Sequence, residues 1–366
     1  MQTVKLPFYA RLALTLLAVV LVCVILRVAG NIFIPLVFGL LVAILLYPLN
    51  RFFETKLRLG RVGSAVLSVV LFVSAFIAFI YFLALQIAGF SSDIPQLRKR
   101  FTEIFGSFQN WVSYKLHITS TEQSDYINRS GSSILESVTH SLSGLFISVT
   151  GILLLIVFVL IFTFFMLYHR KLLMRFLLHL FNTQYRENVK EVITETKSMI
   201  YSYVVGLVIE MLLLSVVNCT MFMIMGIPYA LLLGVMAAVL NIIPYLGIYT
   251  SIVITMLVTL ANSTGNMALE AGVGLFVVHL LDANILFPRI VGGRVKMNPF
   301  ITIVAVIMGE FLWGIPGMFL FIPITGIIKL ISERVDGMEA WSILIGVEEV
   351  EKKPRKKIII TKEEPK

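Results

Sequence analysis

Charge is scarce in this sequence. Only 14% of the 366 residues are Asp, Glu, Lys or Arg, against about a quarter in a soluble globular domain. Cysteine is scarcer still. Cys23 and Cys219 both lie inside apolar runs, so no disulfide framework can be argued and both read as small apolar side chains. Enzyme signatures are missing too: there is no HExxH, no P-loop glycine–lysine pattern and no metal-type Cys/His spacing. These absences argue against an enzyme and against ATP-driven transport by this chain alone. They also leave no cofactor or metal to expect.

What the sequence has is apolar length. Hydrophobic residues make up 58% of it and mean hydropathy is +0.94. Net charge is +9, but the basic residues gather at the ends of apolar blocks. There they meet lipid headgroups and set orientation, so nucleic acid is not the expected partner. The chain reads as an all-α polytopic membrane protein.

A helix needs about 20 apolar residues to cross the hydrocarbon. Six blocks fit single crossings: 8–26, 32–49, 62–90, 145–168, 200–225 and 267–287. The first resembles a signal peptide, but Arg27 closes it and no small-residue cleavage pattern follows, so it is read as a helix. Two further blocks, 228–260 and 299–331, are each about 33 residues, or roughly 50 Å as one helix. Both are broken near the middle, at Asn241-Ile-Ile-Pro-Tyr-Leu-Gly247 and at Gly309-Glu-Phe-Leu-Trp-Gly-Ile-Pro-Gly317. Proline removes a backbone donor and glycine permits the reversal. Halves this short suit re-entrant hairpins, giving eight hydrophobic segments in all.

Charge placement favours the hairpins. Arg51, Lys56, Arg58 and Arg61 follow the second crossing; Arg170, Lys171, Arg175, Arg186, Lys190 and Lys197 follow the fourth; the tail carries Lys352, Lys353, Arg355, Lys356 and Lys357. All are expected in the cytoplasm, with both termini. Region 91–144 has five basic and five acidic residues and is expected outside. Two full crossings in place of hairpins would put Arg289, Arg294 and Lys296 outside; hairpins return them to the cytoplasm. The five units expected are an N-terminal scaffold (1–90), an extracytoplasmic amphipathic segment (91–144), a crossing with its cytoplasmic connector (145–199), an inverted-repeat transport unit (200–334) and a charged tail (335–366). In the outer segment Ile94, Leu97, Phe101, Ile104, Phe108, Trp111 and Val112 recur at helical spacing. That face lies on lipid, on a neighbouring subunit, or on its own protein.

Pro228 precedes Pro244 by 16 positions and Gly247 by 19; Pro299 precedes Pro316 by 17 and Gly317 by 18. Paired interrupted segments in inverted halves point to a transport site at the midplane; the plainer reading is that broken helices relieve packing. Ionisable groups inside apolar blocks are functional candidates by default. They are Glu210, the neighbouring pair His279 and Asp282, and Glu310. Each also has a structural reading as an interhelical hydrogen-bond partner. At the breaks, Asn241, Pro244, Tyr245, Gly247, Gly314, Pro316 and Gly317, with Asn284, would line the path of a polar, uncharged or weakly charged solute. Arg289, Arg294 and Lys296 read as topology anchors.

The runs GIPYALLLGVMAAVLNIIPYLG, NILFPRIVGGRVKMNPF and GEFLWGIPGMFLFIP resemble the autoinducer-2 exporter (AI-2E) family of bacterial membrane proteins. The order of segments matches over nearly the whole chain. The resemblance implies an inner-membrane transporter that exports or exchanges a small solute, with autoinducer-2 the named example. It also implies assembly as a homo-oligomer. Some relatives are described as sodium–proton antiporters, so sodium or protons are the coupling ions it suggests. Its first signature falls on Asn241, Pro244, Tyr245 and Gly247, its second on Pro288, Gly292 and Pro299, and its third on Gly314, Gly317 and Pro323. Many members carry glutamine after the glycine matching Gly206; Leu207 stands there here, and Glu210 is the substitute polar group. Three functions are therefore set against one another: solute export by alternating access, cation–proton antiport, and a non-transporting membrane scaffold.

Overall fold

The computed structural model describes residues 7–91, 106, 151–244, 246–292, 297–335 and 337–347. The amphipathic face expected between Ile94 and Val112, Tyr245, Arg294, Lys296 and the basic tail lie outside the described residues. Every named element is helical.

The N-terminal part holds α1 (Phe8–Val28), α2 (Gly30–Thr55), α3 (Arg61–Ser91) and α4 (Gly151–Tyr168). Only Ala29 separates α1 from α2. In a bilayer, lipid tails are as apolar as leucine, so helices associate through close packing of small residues and through buried polar contacts. Gly39 on α2 shows this: a Cβ there would meet the Phe162 Cβ at 2.7 Å. Beside it the Thr163 hydroxyl donates to its own Val159 carbonyl at 2.7 Å and reaches the Gly39 carbonyl at 3.3 Å. Ala43, Leu46, Ala65 and Leu167 close the seam between α2, α3 and α4. By contrast α1 buries no residue at all.

After α5 (Arg170–His179) comes α6 (Arg186–Ile224), 39 residues long. The expected connector and fifth crossing are thus one helix, with no break at the boundary expected at 199/200. The first broken block forms α7 (Ala230–Leu240) and α8 (Leu246–Asn262). It opens through two left-handed residues, Gly226 and Tyr229, with φ of 67° and 59°. Around the turn, Gly247 N–H donates to the Ile243 carbonyl at 3.0 Å. Next, α9 (Gly265–Leu281) runs into two π-helical stretches, Asp282–Leu286 and Pro288–Gly292.

The second broken block is α10 (Pro299–Trp313) and α11 (Ile315–Ser332). Asn298 caps α10, its side chain accepting from the Ile301 N–H at 2.8 Å, and Pro299 takes the first turn where no donor is needed. Gly314 makes the reversal at φ 62°, ψ −145°, a region only glycine enters cheaply. The two arms then meet backbone to backbone at Gly309 and Gly317. A short α12 (Glu339–Ile345) follows, held to the start of α10 by the Asn298 amide, which donates to the Leu344 carbonyl at 2.6 Å.

Seven helices among the described residues are long and apolar enough to cross a membrane. Six overlap the expected crossings, and the seventh is α11. The arms α7, α8 and α10 are shorter. The largest core joins α2, α6, α10 and α11 through Leu41, Ile200, Tyr203, Val306, Trp313, Leu320 and Ile322. A second joins α6, α7 and α9 through Phe222, Leu233, Ala237, Ala271 and Leu275.

Candidate transport site

One stripe of α6 carries Tyr203, Gly206, Glu210, Leu214 and Asn218, all buried. Steps of three and four keep these residues on a single helical face. The stripe faces the turn of the first broken block and the junction of α9 with its π-helical extension.

Three polar groups converge there. Glu210 is 5% exposed, Asp282 3% and Asn218 4%. The Asn241 amide donates to Asp282 Oδ2 at 3.0 Å. The Glu210 carboxyl lies beside that of Asp282, and Glu210 Oε2 and Asp282 Oδ1 are buried without a hydrogen-bond partner. Two ionised carboxylates only accept hydrogen bonds, so a direct bond between them requires a proton on one. A charge at the centre of a membrane helix costs about 2.5–3.5 kcal/mol or more; one proton held by the pair removes one of the two charges. No ion pair to lysine or arginine reaches either carboxyl among the described residues.

His279 stands one helical turn before Asp282 on α9. Its Nδ1 is buried without a partner. The pair expected from spacing is therefore part of a wider cluster, in which Asp282 accepts from Asn241 and lies beside Glu210.

A cavity of about 260 Å³ opens beside the cluster. Its wall comes from α6 (Tyr203, Leu207, Glu210, Met211), the first turn (Asn241, Ile242, Pro244), α8 (Ile248, Tyr249), the α9 end (His279, Asp282, Phe287) and the second block (Thr302, Val306, Ile322). Most of this wall is apolar, with a few convergent polar groups, the usual make-up of a small-molecule site. The carbonyl end of α7 and the amide end of α8 both border it, offering opposite partial charges. A second hollow of about 10 Å³, near the size of one water, lies behind it against Asn218, Asn241, His279 and Asp282. Asn218 Oδ1 is buried there without a donor.

The other expected residues fall elsewhere. Gly247 backs the first turn: a Cβ there would lie 1.9 Å from the Leu240 carbonyl oxygen. Asn284 is exposed on the π-helical stretch, and its amide donates to the Leu280 carbonyl at 2.7 Å. Glu310, Gly314, Pro316 and Gly317 form the second turn and do not line the cavity; Glu310 is exposed. That turn docks on the α1–α2 joint instead, where Trp313 Nε1 donates to the Leu26 carbonyl at 2.8 Å and the Arg27 guanidinium lies 4.8 Å over the Phe311 ring. Two cavity features went unread in the sequence: Asn218, a neutral amide inside an apolar run, and the π-helical turns. The signal for Asn218 was there in the repeat of polar residues Tyr203, Glu210 and Asn218 along one face of α6.

The family model for the AI-2E family transporter matches residues 14–337. The chain belongs to the AI-2E transporter family. It is a multi-pass membrane transport protein, not an enzyme, and the family implies a small solute as its partner. Among the relatives, the presumed transport protein YrrI of Bacillus subtilis (strain 168) is 25% identical over 311 residues, 83% of this chain and 86% of the relative. The presumed transport protein YhhT of Escherichia coli (strain K12) is 26% identical over 334 residues, 91% and 93% of the two chains. The AI-2 transport protein TqsA of Escherichia coli (strain K12) is 23% identical over 328 residues, 89% and 92%. Of the residues on which the sequence resemblance fell, Asn241 and Pro244 lie on the cavity, Pro288 and Gly292 on the second π-helical stretch, and Gly314 and Gly317 at the second turn.

Proposed function

We propose that this AI-2E transporter moves a small polar solute of the autoinducer-2 kind across the bacterial inner membrane by alternating access, outward or in exchange, with the Glu210–Asp282 pair carrying a coupling proton. The observation that carries this reading is the carboxyl–carboxyl contact on the wall of a cavity bordered by two half-helix ends. A cavity of about 260 Å³ is a little under the roughly 300 Å³ at which drug-sized pockets begin, which suits a small solute. Opening the cavity to water on one side would let the pair ionise; closing it would require the shared proton back. Solute and proton then use the same gate.

In this reading α7–α8 and α10–α11 are re-entrant hairpins entered from opposite sides, both termini are cytoplasmic, and six helices cross. Apolar residues exposed along α1 and α3 support lipid contact and assembly of several copies. The test uses the purified protein in vesicles, with labelled autoinducer-2 inside and a pH-sensitive dye to follow protons. An opposing proton gradient should speed solute efflux by the wild type. Glu210→Gln and Asp282→Asn should each abolish that acceleration. If both variants still respond to the gradient, the proton role is wrong.

A second reading, cation–proton antiport, is favoured by the small hollow and its unpaired Asn218 oxygen. Under it, sodium alone drives proton flux in solute-free vesicles, and Asn218→Ala removes that flux.

A further inference from the structure

A different cluster sits where the apolar runs of α2, α4 and α6 end together. On α2, Tyr47, Arg51 and Glu54 occupy successive turns of one face. Lys197, just before the buried stretch of α6 begins at Met199, holds its ammonium 3.0 Å from the Tyr47 ring centroid. Arg170, at the start of α5, lies 5.6 Å over the same ring and pairs with Glu54. Two cations therefore share one aromatic ring and a third lies close by, with Glu54 the carboxylate among them. The balance is uncompensated. Arg170 Nη1 is buried with no acceptor. Burial, reinforced by Arg170 and then Arg51, pushes the Lys197 ammonium below its ordinary range.

We infer that Arg51, Arg170 and Lys197 form a binding site for the phosphate of an anionic membrane lipid, which ties α2 to α5 and α6. Arg170 Nη2 is taken by Glu54 and its buried Nη1 has no acceptor, a need that a phosphate oxygen seated among these cations would meet, with Lys197 a point charge beside it. Basic pockets between membrane helices at the headgroup level are where such lipids are held. The three apolar runs all leave the hydrocarbon at this level, so a lipid phosphate is already at the right depth, with its acyl chains free to lie along α2 and α4.

The test is lipid binding to the full-length protein in neutral detergent, read by native mass spectrometry with phosphatidylglycerol, phosphatidylcholine and inorganic phosphate as separate probes. Arg51→Gln/Lys197→Gln removes two of the three cations; Arg58→Gln/Arg61→Gln removes two exposed charges from the α2–α3 loop as a control. Phosphatidylglycerol should bind the wild type and the control alike. It should bind the Arg51/Lys197 variant about tenfold or more weakly, the size expected when charge-assisted bonds are lost. Unchanged melting of the lipid-free variant would show that the weaker binding is not misfolding. Equal binding by both variants overturns the site. So does equal retention of phosphatidylcholine, which carries no net charge. Inorganic phosphate binding with the same variant dependence while phosphatidylglycerol shows none would overturn the lipid assignment.

Discussion

Gly309→Ala is the sharpest test of how the second hairpin is built. A Cβ at residue 309 would lie 2.2 Å from the Gly317 carbonyl oxygen and 2.6 Å from its carbon. The reciprocal change, Gly317→Ala, would put a Cβ 1.9 Å from the Gly309 oxygen and 2.5 Å from its carbon. Both obstacles are backbone, so no side chain can turn aside. To bring these contacts back to ordinary separations the arms must part by roughly 1 Å, and a radial gap of that size forfeits a quarter to a half of each dispersion contact along the seam. Overpacking of this kind costs about 1–3 kcal/mol. The upper end applies here, about 3 kcal/mol for either change, because helix association in lipid has little besides packing to sustain it. The double variant should cost less than the sum, since one separation relieves both clashes. The assay is reversible unfolding by an ionic detergent in mixed micelles. Gly63→Ala is the control: its nearest neighbour would be 3.9 Å away, so it should be neutral or gain up to about 1 kcal/mol. If Gly309→Ala unfolds within about 0.5 kcal/mol of wild type, the scatter of an ordinary surface change, the close approach of the arms is not real.

Glu210 separates stability from transport: Glu210→Gln keeps a donor for Asp282 and should melt like wild type while losing the proton response. Glu210→Ala removes the polar group beside the buried Asp282 carboxyl and should also lose about 1–3 kcal/mol of stability in the same unfolding assay. Sidedness tests the first hairpin. A thiol in Ser263→Cys, on a cysteine-free background, should react with a membrane-impermeant reagent only from outside the cell; labelling only from the cytoplasm would mean that α7 and α8 cross as one. Trp313→Phe keeps the ring packed on Phe321 but loses the bond to the Leu26 carbonyl, which should cost about 1 kcal/mol in detergent unfolding.

Much of the architecture was legible because the signals were local. Long apolar runs marked the crossings, and Pro244 and Gly314 sit within the stretches where the helices break. The cluster was less so. Asp282 was paired with His279 by spacing along one helix; the structure adds the Asn241 amide and the Glu210 carboxyl beside it, 41 and 72 positions away. Such contacts depend on how α6, the first turn and α9 pack, which no local pattern encodes. The π-helical turns were invisible for the same reason: an extra residue per turn is a response to neighbours, here to the close seat of Gly206 under the Ile290 carbonyl, where a Cβ would come within 2.9 Å. Glu310 was singled out for its charge at a break, but that turn seats on the α1–α2 joint while the cavity lies further along the arms.

Finally, α6 runs unbroken for 39 residues, about 58 Å. Arg334, just beyond α11, grips it near one end through Glu191 and Glu195; Glu210 lies about 22 Å further along. No break in the helix separates the ion pairs from the acid pair. The rod therefore carries, on a single helix, both the acidic residues that pair with the far end of the second hairpin and the carboxyl that borders the cavity.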